Sequence, residues 1–330
     1  MKAKKNKRLS ISSMENENST DMVIEYIRYL DNSKDLVRYN MENRIEAMSI
    51  NLNNKECAIN LGTQKALPFS IEENSLWYRR GDFGFANNWD YLSYTKLKEY
   101  ILEEEEQARL FLHFYSSKLS SYMNESILNN KLYNLFIAQK VGLAIPDTLI
   151  TTKKDDLLAF FEKHDGQLIN KPIHHGHISL NNKNEGVKYS SRGTYILEKE
   201  HINILDDTFG LSLFQSLVEK EMELRIFQLE DKLYSMAIFS QNDEQTKVDF
   251  RNYNQNKPNR NVPFQLPSSI EKKILKLVKI LKFNTCSIDI ILDKNGNYVF
   301  LEINPNGQFG WVSKNCNYYL EEKIAEICLK

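Results

Sequence analysis

Cys286-Ser-Ile-Asp-Ile-Ile-Leu-Asp-Lys-Asn-Gly-Asn-Tyr-Val-Phe-Leu-Glu-Ile-Asn304 reads as two strands joined by a turn. Asn295-Gly296 predicts a two-residue turn with positive φ at both positions. That turn pairs Lys294 with Asn297, Leu292 with Val299 and Asp289 with Glu302. Side chains alternate faces along a strand. One face then carries Ile288, Ile290, Leu292, Val299, Leu301 and Ile303 and is wholly aliphatic. The other gathers Asp289, Glu302 and Asn304. Carboxylates directly opposite one another repel. A hard divalent cation removes that conflict, and an all-oxygen donor set suits Mg²⁺. Taken alone, the hairpin fits a solvated acidic face equally well. Pro305-Asn-Gly-Gln-Phe-Gly310 then leaves the second strand as a rigid, glycine-bearing loop. Loops at strand ends are common holders of binding groups.

The rest of the chain sets the context for this hairpin. Its 330 residues suffice for two or three domains. Basic and acidic residues number 43 and 44, a net charge of -1, so no global attraction to nucleic acid or membrane is expected. No run approaches a membrane-spanning length of apolar residues. The basic start, Met1-Lys-Ala-Lys-Lys-Asn-Lys-Arg8, lacks the apolar region of a secretory signal. Cys57, Cys286, Cys316 and Cys328 lie far apart, which reads as reduced thiols in the cytoplasm.

Leu9-Ser-Ile-Ser-Ser13, a polar loop and a helix capped by Ser19 or Thr20 open the chain as an α/β layer. Trp77-Tyr-Arg-Arg80 ends a second strand-rich stretch, and a helical region is expected from about Tyr94 to about Tyr122. Its Glu103–Glu106 run is either a solvated face or a docking patch for a basic partner. Asn130–Gly142 reads as a helix closed by glycine, and Gln167–Ile173 as a strand. From His174 to Ser191 the chain is polar without periodicity and reads as a mobile loop. Strands follow around Thr194–Leu197, Leu213–Leu217, Leu224–Gln228 and Leu233–Phe239. Ser268-Ser-Ile-Glu271 is a capping box that opens an amphipathic helix before the hairpin. A last helix is expected from about Asn317.

A magnesium site of one or two carboxylates points to a nucleotide polyphosphate. The chain has no GxxxxGK[ST] loop and no protein-kinase signature, so separate lysines must meet the phosphate charge. Lys131 lies in the first turn of its helix and reads alone as a surface lysine. Lys171 sits within an apolar strand, as a phosphate ligand or as a guard against edge pairing. Arg225 and Arg251 suit planar recognition of carboxylate or phosphate, or pairing with Glu223 and Asp249. His174, His175 and His177 have no thiol or carboxylate neighbour at a metal-binding spacing.

Lys131, Asn170-Lys-Pro172, Asp289 and Phe300–Gln308 occur in the order that resembles ATP-grasp carboxylate ligases. Glu17–Thr20, Trp77–Arg80, Glu223–Arg225, Asp249–Arg251 and Phe300–Gly310 narrow the resemblance to the graspetide (microviridin-type) peptide maturases. The ending Gly310–Ala325 resembles their "grasp-with-spasm" subgroup. The resemblance implies an ATP-grasp fold of the α/β (α+β) class with an N-terminal α/β domain before it. Boundaries are expected at 1–125, 126–213 and 214–330. ATP and Mg²⁺ are the implied cofactors. Lys131 and Lys171 would hold nucleotide phosphates, with Lys171 also catalytic. The hinge Phe214–Val218 would meet adenine through Leu217 and Val218, with Gln215 assisting, and Glu219 or Glu223 would reach the ribose. Asp289, Glu302 and Asn304 would bind the metal. Arg225 and Arg251 would hold the γ-phosphate and the acceptor carboxylate. The implied activity is ATP-dependent macrocyclisation of a ribosomal precursor peptide recognised through its leader, by a cytoplasmic homodimer that binds neither nucleic acid nor membrane. Addition of a free amino acid to a protein or small molecule is the alternative. Many ATP-grasp enzymes carry a glycine-rich phosphate loop where this chain has His174-His-Gly-His-Ile178.

Overall fold

The computed structural model describes residues 8–61, 69–81, 84–86, 95–119, 129–173, 179–182, 187–190, 193–242, 256 and 258–330. The chain opens on β1 (Arg8–Ser13), α1 (Asn18–Leu30) and β2 (Leu36–Asn40). Then come β3 (Ala47–Asn51), β4 (Glu56–Asn60), β5 (Phe69–Ser70), β6 (Asn74–Tyr78), α2 (Thr95–Ser116) and β7 (Ser117–Leu119). A parallel sheet is ordered β2-β1-β6-β7, and β3, β4 and β5 form a separate antiparallel sheet. The helical region predicted to reach Tyr122 stops at Ser116, where the chain turns to pair as β7 beside β6. Glu17, rather than Ser19 or Thr20, caps α1, because its longer side chain turns back to accept the Thr20 amide.

The middle of the chain is α3 (Lys131–Lys140), β8 (Thr148–Lys153), α4 (Lys154–Lys163), β9 (Leu168–Lys171), β10 (Ser179–Asn182), β11 (Val187–Ser190), β12 (Tyr195–Leu197), α5 (Lys199–Asn203) and β13 (Thr208–Ser216). A sheet of order β12-β9-β13-β8 buries Leu168, Leu197 and Phe214 against Leu157, Phe160 and Ile202 of its helices. The stretch read as a mobile loop contains the antiparallel pair β10 and β11, with Leu180 opposite Tyr189. Backbone pairing needs no side-chain period, which is why a polar stretch concealed it.

The last third is β14 (Lys220–Leu229), β15 (Lys232–Phe239), β16 (Arg260–Pro263), α6 (Ser268–Ile280), β17 (Thr285–Asp293), β18 (Tyr298–Asn304), α7 (Gly310–Cys316) and α8 (Leu320–Leu329). Its antiparallel sheet is ordered β16-β15-β14-β17-β18. One face packs on α3 and α6 through Leu224, Ile226, Ile288, Ile290, Phe300 and Ile303. The other turns Phe227, Leu229, Met236 and Ile238 toward α7 and α8, which in turn meet Leu9, Val23 and Ile27 of the first layer. The hydrophobic clusters thus cross the predicted domain lines: α3 belongs by packing to the C-terminal sheet, and the first and last segments share a core. The capping box at Ser268 does not form, since α6 starts after Pro267 without a side-chain cap. No helix among the described residues is long and apolar enough to cross a membrane.

Candidate functional site

The hairpin pairs Asp289 with Glu302, as predicted, but by a different route. The turn is one residue longer than read. Asp293 pairs with Asn297 through its amide, its side chain accepts the Asn295 and Asn297 amides, and only Gly296 has positive φ, at 84°. A register of Leu292 with Tyr298 follows, and Ile290 faces Phe300. A bulge at Leu301 then restores Asp289 opposite Glu302. The bulge also changes the faces. Phe300 enters the core, while Leu301 turns with Ile291, Asp289 and Glu302 toward a cleft. Placing Val299 and Leu301 on the core face is therefore corrected.

Partners in a sheet share a face. Arg225, Asp289 and Glu302 consequently form one row across β14, β17 and β18. Arg225 Nη1 donates to both Asp289 oxygens at 2.8 Å, and the pair is buried. Arg225 thus pairs across the sheet rather than with Glu223 on its own strand. Lys131, only 7% exposed, is no surface lysine. Packing of α3 on the sheet brings its Nζ to 3.8 Å from Glu302 Oε2, and it donates to the Pro172 carbonyl at 2.9 Å. It therefore bridges the helix, the hairpin and the residue after Lys171.

The cleft lies between the two large antiparallel sheets. Lys171 and Ile169 line it from β9, and Ser216, Leu217 and Val218 line the crossing from β13 to β14. Glu223, Asp289 and Glu302 complete it. Gln215 pairs with Ile169 and so takes the same face, its amide held 3.0 Å from Thr148 Oγ1. The Leu217 amide donates to the Gln167 carbonyl at 2.8 Å. Glu219 does not line the cleft; its exposed carboxylate pairs with Lys294 at 3.2 Å. Arg251, His174, His175 and His177 lie outside the described residues.

Lys220 also lines the cleft and was not foreseen. A spacing of three puts Lys220 and Glu223 on opposite faces of a plain strand. A bulge between Lys220 and Met222 brings them together, with Nζ 2.9 Å from Glu223 Oε1. Ser240 donates to the same oxygen at 2.7 Å. Burial pushes the Glu223 carboxyl up, and Lys220 and Ser240 offset this only in part.

The loop after Asn304 is anchored from the N-terminal layer. Arg79 donates to the Asn306 carbonyl at 3.0 Å and to Glu17 at 3.2 Å, and its guanidinium lies 5.3 Å from the Phe309 ring centre. Burial opposes ionisation of Glu17, yet Arg79, the Thr20 hydrogen bonds and the charge of Arg80 outweigh it and hold the carboxyl below its usual range. Gly307 passes so close to β17 that an added Cβ would stand 1.7 Å from Ser287 Oγ and 2.7 Å from the Ser287 amide. Gly307→Ala is expected to cost about 1–3 kcal/mol of stability in denaturant unfolding, because the loop must move off the strand.

The donor set fits Mg²⁺. Asp289 and Glu302 supply two carboxylates on one face, and the Asn304 amide lies 3.5 Å from Glu302 Oε1. No cluster of three or more His, Cys, Asp or Glu suited to a metal occurs among the described residues.

Solved structures resemble this chain along nearly its whole length. A RiPP-associated ATP-grasp ligase of Chryseobacterium gregarium, in complex with ADP and a leader and core peptide, is 25% identical. The match covers 98% of this chain and 95% of that one, with a TM-score of 0.79. The macrocyclase MdnC of Microcystis aeruginosa, bound with precursor peptide MdnA, is 24% identical over 98% and 99% of the chains, with a TM-score of 0.77. D-alanyl-alanine synthetase A of Vibrio cholerae shares the fold at 14% identity, 98% coverage of both chains and a TM-score of 0.60. No curated protein matches the sequence. The model of the RimK-like ATP-grasp domain matches residues 129–328, well over half of the chain. The protein therefore belongs to the RimK-like ATP-grasp family.

Proposed function

We propose that the protein is an ATP-dependent peptide macrocyclase, joining Asp or Glu side-chain carboxylates of a precursor peptide to Ser or Thr hydroxyls, or to Lys amines. The observation that carries the phosphoryl chemistry is the Arg225–Asp289–Glu302 row facing Lys171 across the cleft. Likeness over full length to ligases solved with leader, core or precursor peptides supports the peptide substrate. In this reading Lys131 and Lys171 hold phosphates, and Leu217 and Val218 meet the base. Gln215 supports the hinge, and Glu223 is better placed than Glu219 to reach the ribose. Asp289, Glu302 and Asn304 would hold Mg²⁺, whose charge offsets that of the polyphosphate.

A substrate carboxylate oxygen attacks the γ-phosphorus, the bond to the β-γ bridging oxygen breaks, and ADP leaves. Arg225 fixes Asp289, and Arg251 is assigned to the acceptor carboxylate. The hydroxyl or amine then attacks the acyl carbon, phosphate leaves and the nucleophile's proton passes to it or to solvent. Close positioning must aid a hydroxyl, which is a weak nucleophile. The four cysteines are buried free thiols, which supports a reducing, cytoplasmic setting.

Mass spectrometry of a leader-bearing peptide with enzyme, ATP and Mg²⁺ tests this. Loss of one water per crosslink, with one ADP formed, is the expected result. The shared fold with an amino-acid ligase favours one alternative, addition of a free amino acid, which would instead raise the mass. Lys171→Ala is expected to weaken ADP binding about ten- to hundredfold in calorimetry, since a hydrogen bond to a charged group contributes about 1.5–3 kcal/mol.

A further inference from the structure

Ser287 is fully buried on β17, two residues before Asp289. Its partners across the sheet are Phe227 on β14 and Asn304 on β18. Residues two apart on a strand share a face, and so do cross-strand partners. Ser287 therefore belongs to the face that carries Asp289, Glu302 and Asn304, directly opposite the last of them. Its Oγ has no hydrogen-bond partner. Buried polar atoms are nearly always paired, so this hydroxyl needs a reason.

Packing explains only the size of the side chain. Gly307 lies so close that an added Cβ would stand 2.1 Å from the Ser287 Cβ, which calls for a small residue. Alanine would meet that need without burying a hydroxyl. The loop above offers it little, since Pro305 has no amide hydrogen and Arg79 takes the Asn306 carbonyl.

Asn304 supplies the reason. Only the oxygen of a carboxamide can bind a hard cation, and its NH₂ group can only donate. In the structure Asn304 Nδ2 faces Glu302 Oε1 at 3.5 Å, the outer limit of a hydrogen bond. For Glu302 and Asn304 to converge on one ion, Asn304 must turn Oδ1 toward that point and its NH₂ group away from it. The turned NH₂ then needs a new acceptor. Residues directly opposite in a ladder have Cβ atoms about 4.5–5.5 Å apart, which lets Nδ2 reach Oγ.

We infer that Ser287 is a positioning residue of the metal site: its Oγ accepts a hydrogen bond from Asn304 Nδ2 and so presents Asn304 Oδ1 to Mg²⁺. This step rests on the Mg²⁺–nucleotide part of the proposed function. It gives the buried hydroxyl a partner only in the metal-bound arrangement, and it fixes which end of the carboxamide meets the ion.

The test is calorimetric titration of the whole enzyme with ADP, with and without Mg²⁺, beside denaturant unfolding without ligand. Ser287→Ala is expected to reduce the Mg²⁺ enhancement of ADP binding about ten- to hundredfold, the scale seen when a group that orients a metal ligand is removed. ADP affinity without Mg²⁺ stays within twofold. The unfolding midpoint without ligand is unchanged or raised, because the variant removes a buried hydroxyl that has no partner there. In an Asn304→Ala background no carboxamide is left to orient, and Ser287→Ala lowers no further whatever enhancement remains. A wild-type enhancement that Ser287→Ala leaves intact overturns the inference. So does a lowered unfolding midpoint, which would assign the hydroxyl to the fold, or a further tenfold fall in the Asn304→Ala background. Absence of any Mg²⁺ enhancement in the wild type overturns the metal site and this inference together. The ligase reading fails by a different result, the absence of dehydrated product in the mass-spectrometric assay.

Discussion

Glu302→Gln is expected to lower ATP-dependent product formation by about a hundredfold or more, the scale seen when one preorganised electrostatic group is removed from a transition state. The substitution keeps volume and hydrogen-bonding capacity and removes a single charge. In the wild type, Asp289 and Glu302 stand opposite one another, with Arg225 on the first and Lys131 near the second. With Gln at 302, one carboxylate is left to attract a divalent cation while both basic groups remain. On the proposed reading, in which Lys131 and Lys171 hold the phosphates, nucleotide should still bind, but Mg²⁺ should no longer strengthen it. Calorimetric titration of ADP with and without Mg²⁺ separates these effects. Loss of turnover together with loss of the Mg²⁺ enhancement is the expected pair of results. Turnover within threefold of the wild type shows that Glu302 is not a metal ligand.

The central feature of this site was legible because two irregularities cancel. The Asn295-Gly296 signal located the turn but not its length, since Asp293 takes two amides that a shorter turn would leave elsewhere. The Leu301 bulge absorbs the extra residue, so Asp289 and Glu302 still meet. Lys131 was harder. Its burial comes from α3 docking on a sheet whose strands lie far along the chain, and no local pattern records that contact. Lys220 was missed because a bulge reverses the meaning of its spacing from Glu223, and nothing in Lys220-Glu-Met-Glu223 announces a bulge. The polar β10–β11 pair escaped for the complementary reason, having backbone pairing without an apolar face.

Arg225→Met is expected to destabilise the fold by about 3–5 kcal/mol, because it strands a buried carboxylate. Arg225 Nη1 holds both oxygens of Asp289 at 2.8 Å, and Ile288 and Ile290 on either side are fully buried. In the variant Asp289 must ionise without its partner or take up a proton, and either costs free energy. The penalty should therefore grow as pH rises from the ordinary aspartate range toward neutrality. The double variant Arg225→Met with Asp289→Leu removes both charges and fills the row with apolar volume. Its stability should return to near that of the wild type, since well-packed apolar replacements of buried ion pairs are often neutral or stabilising. Activity should not return, because a candidate metal ligand has gone with the charge. Denaturant unfolding at pH 5 and pH 8, combined with the product assay, reads both parts. If the double variant stays as unstable as Arg225→Met, Arg225 stabilises the sheet through packing of its own stem, and Asp289 is not the reason it is buried.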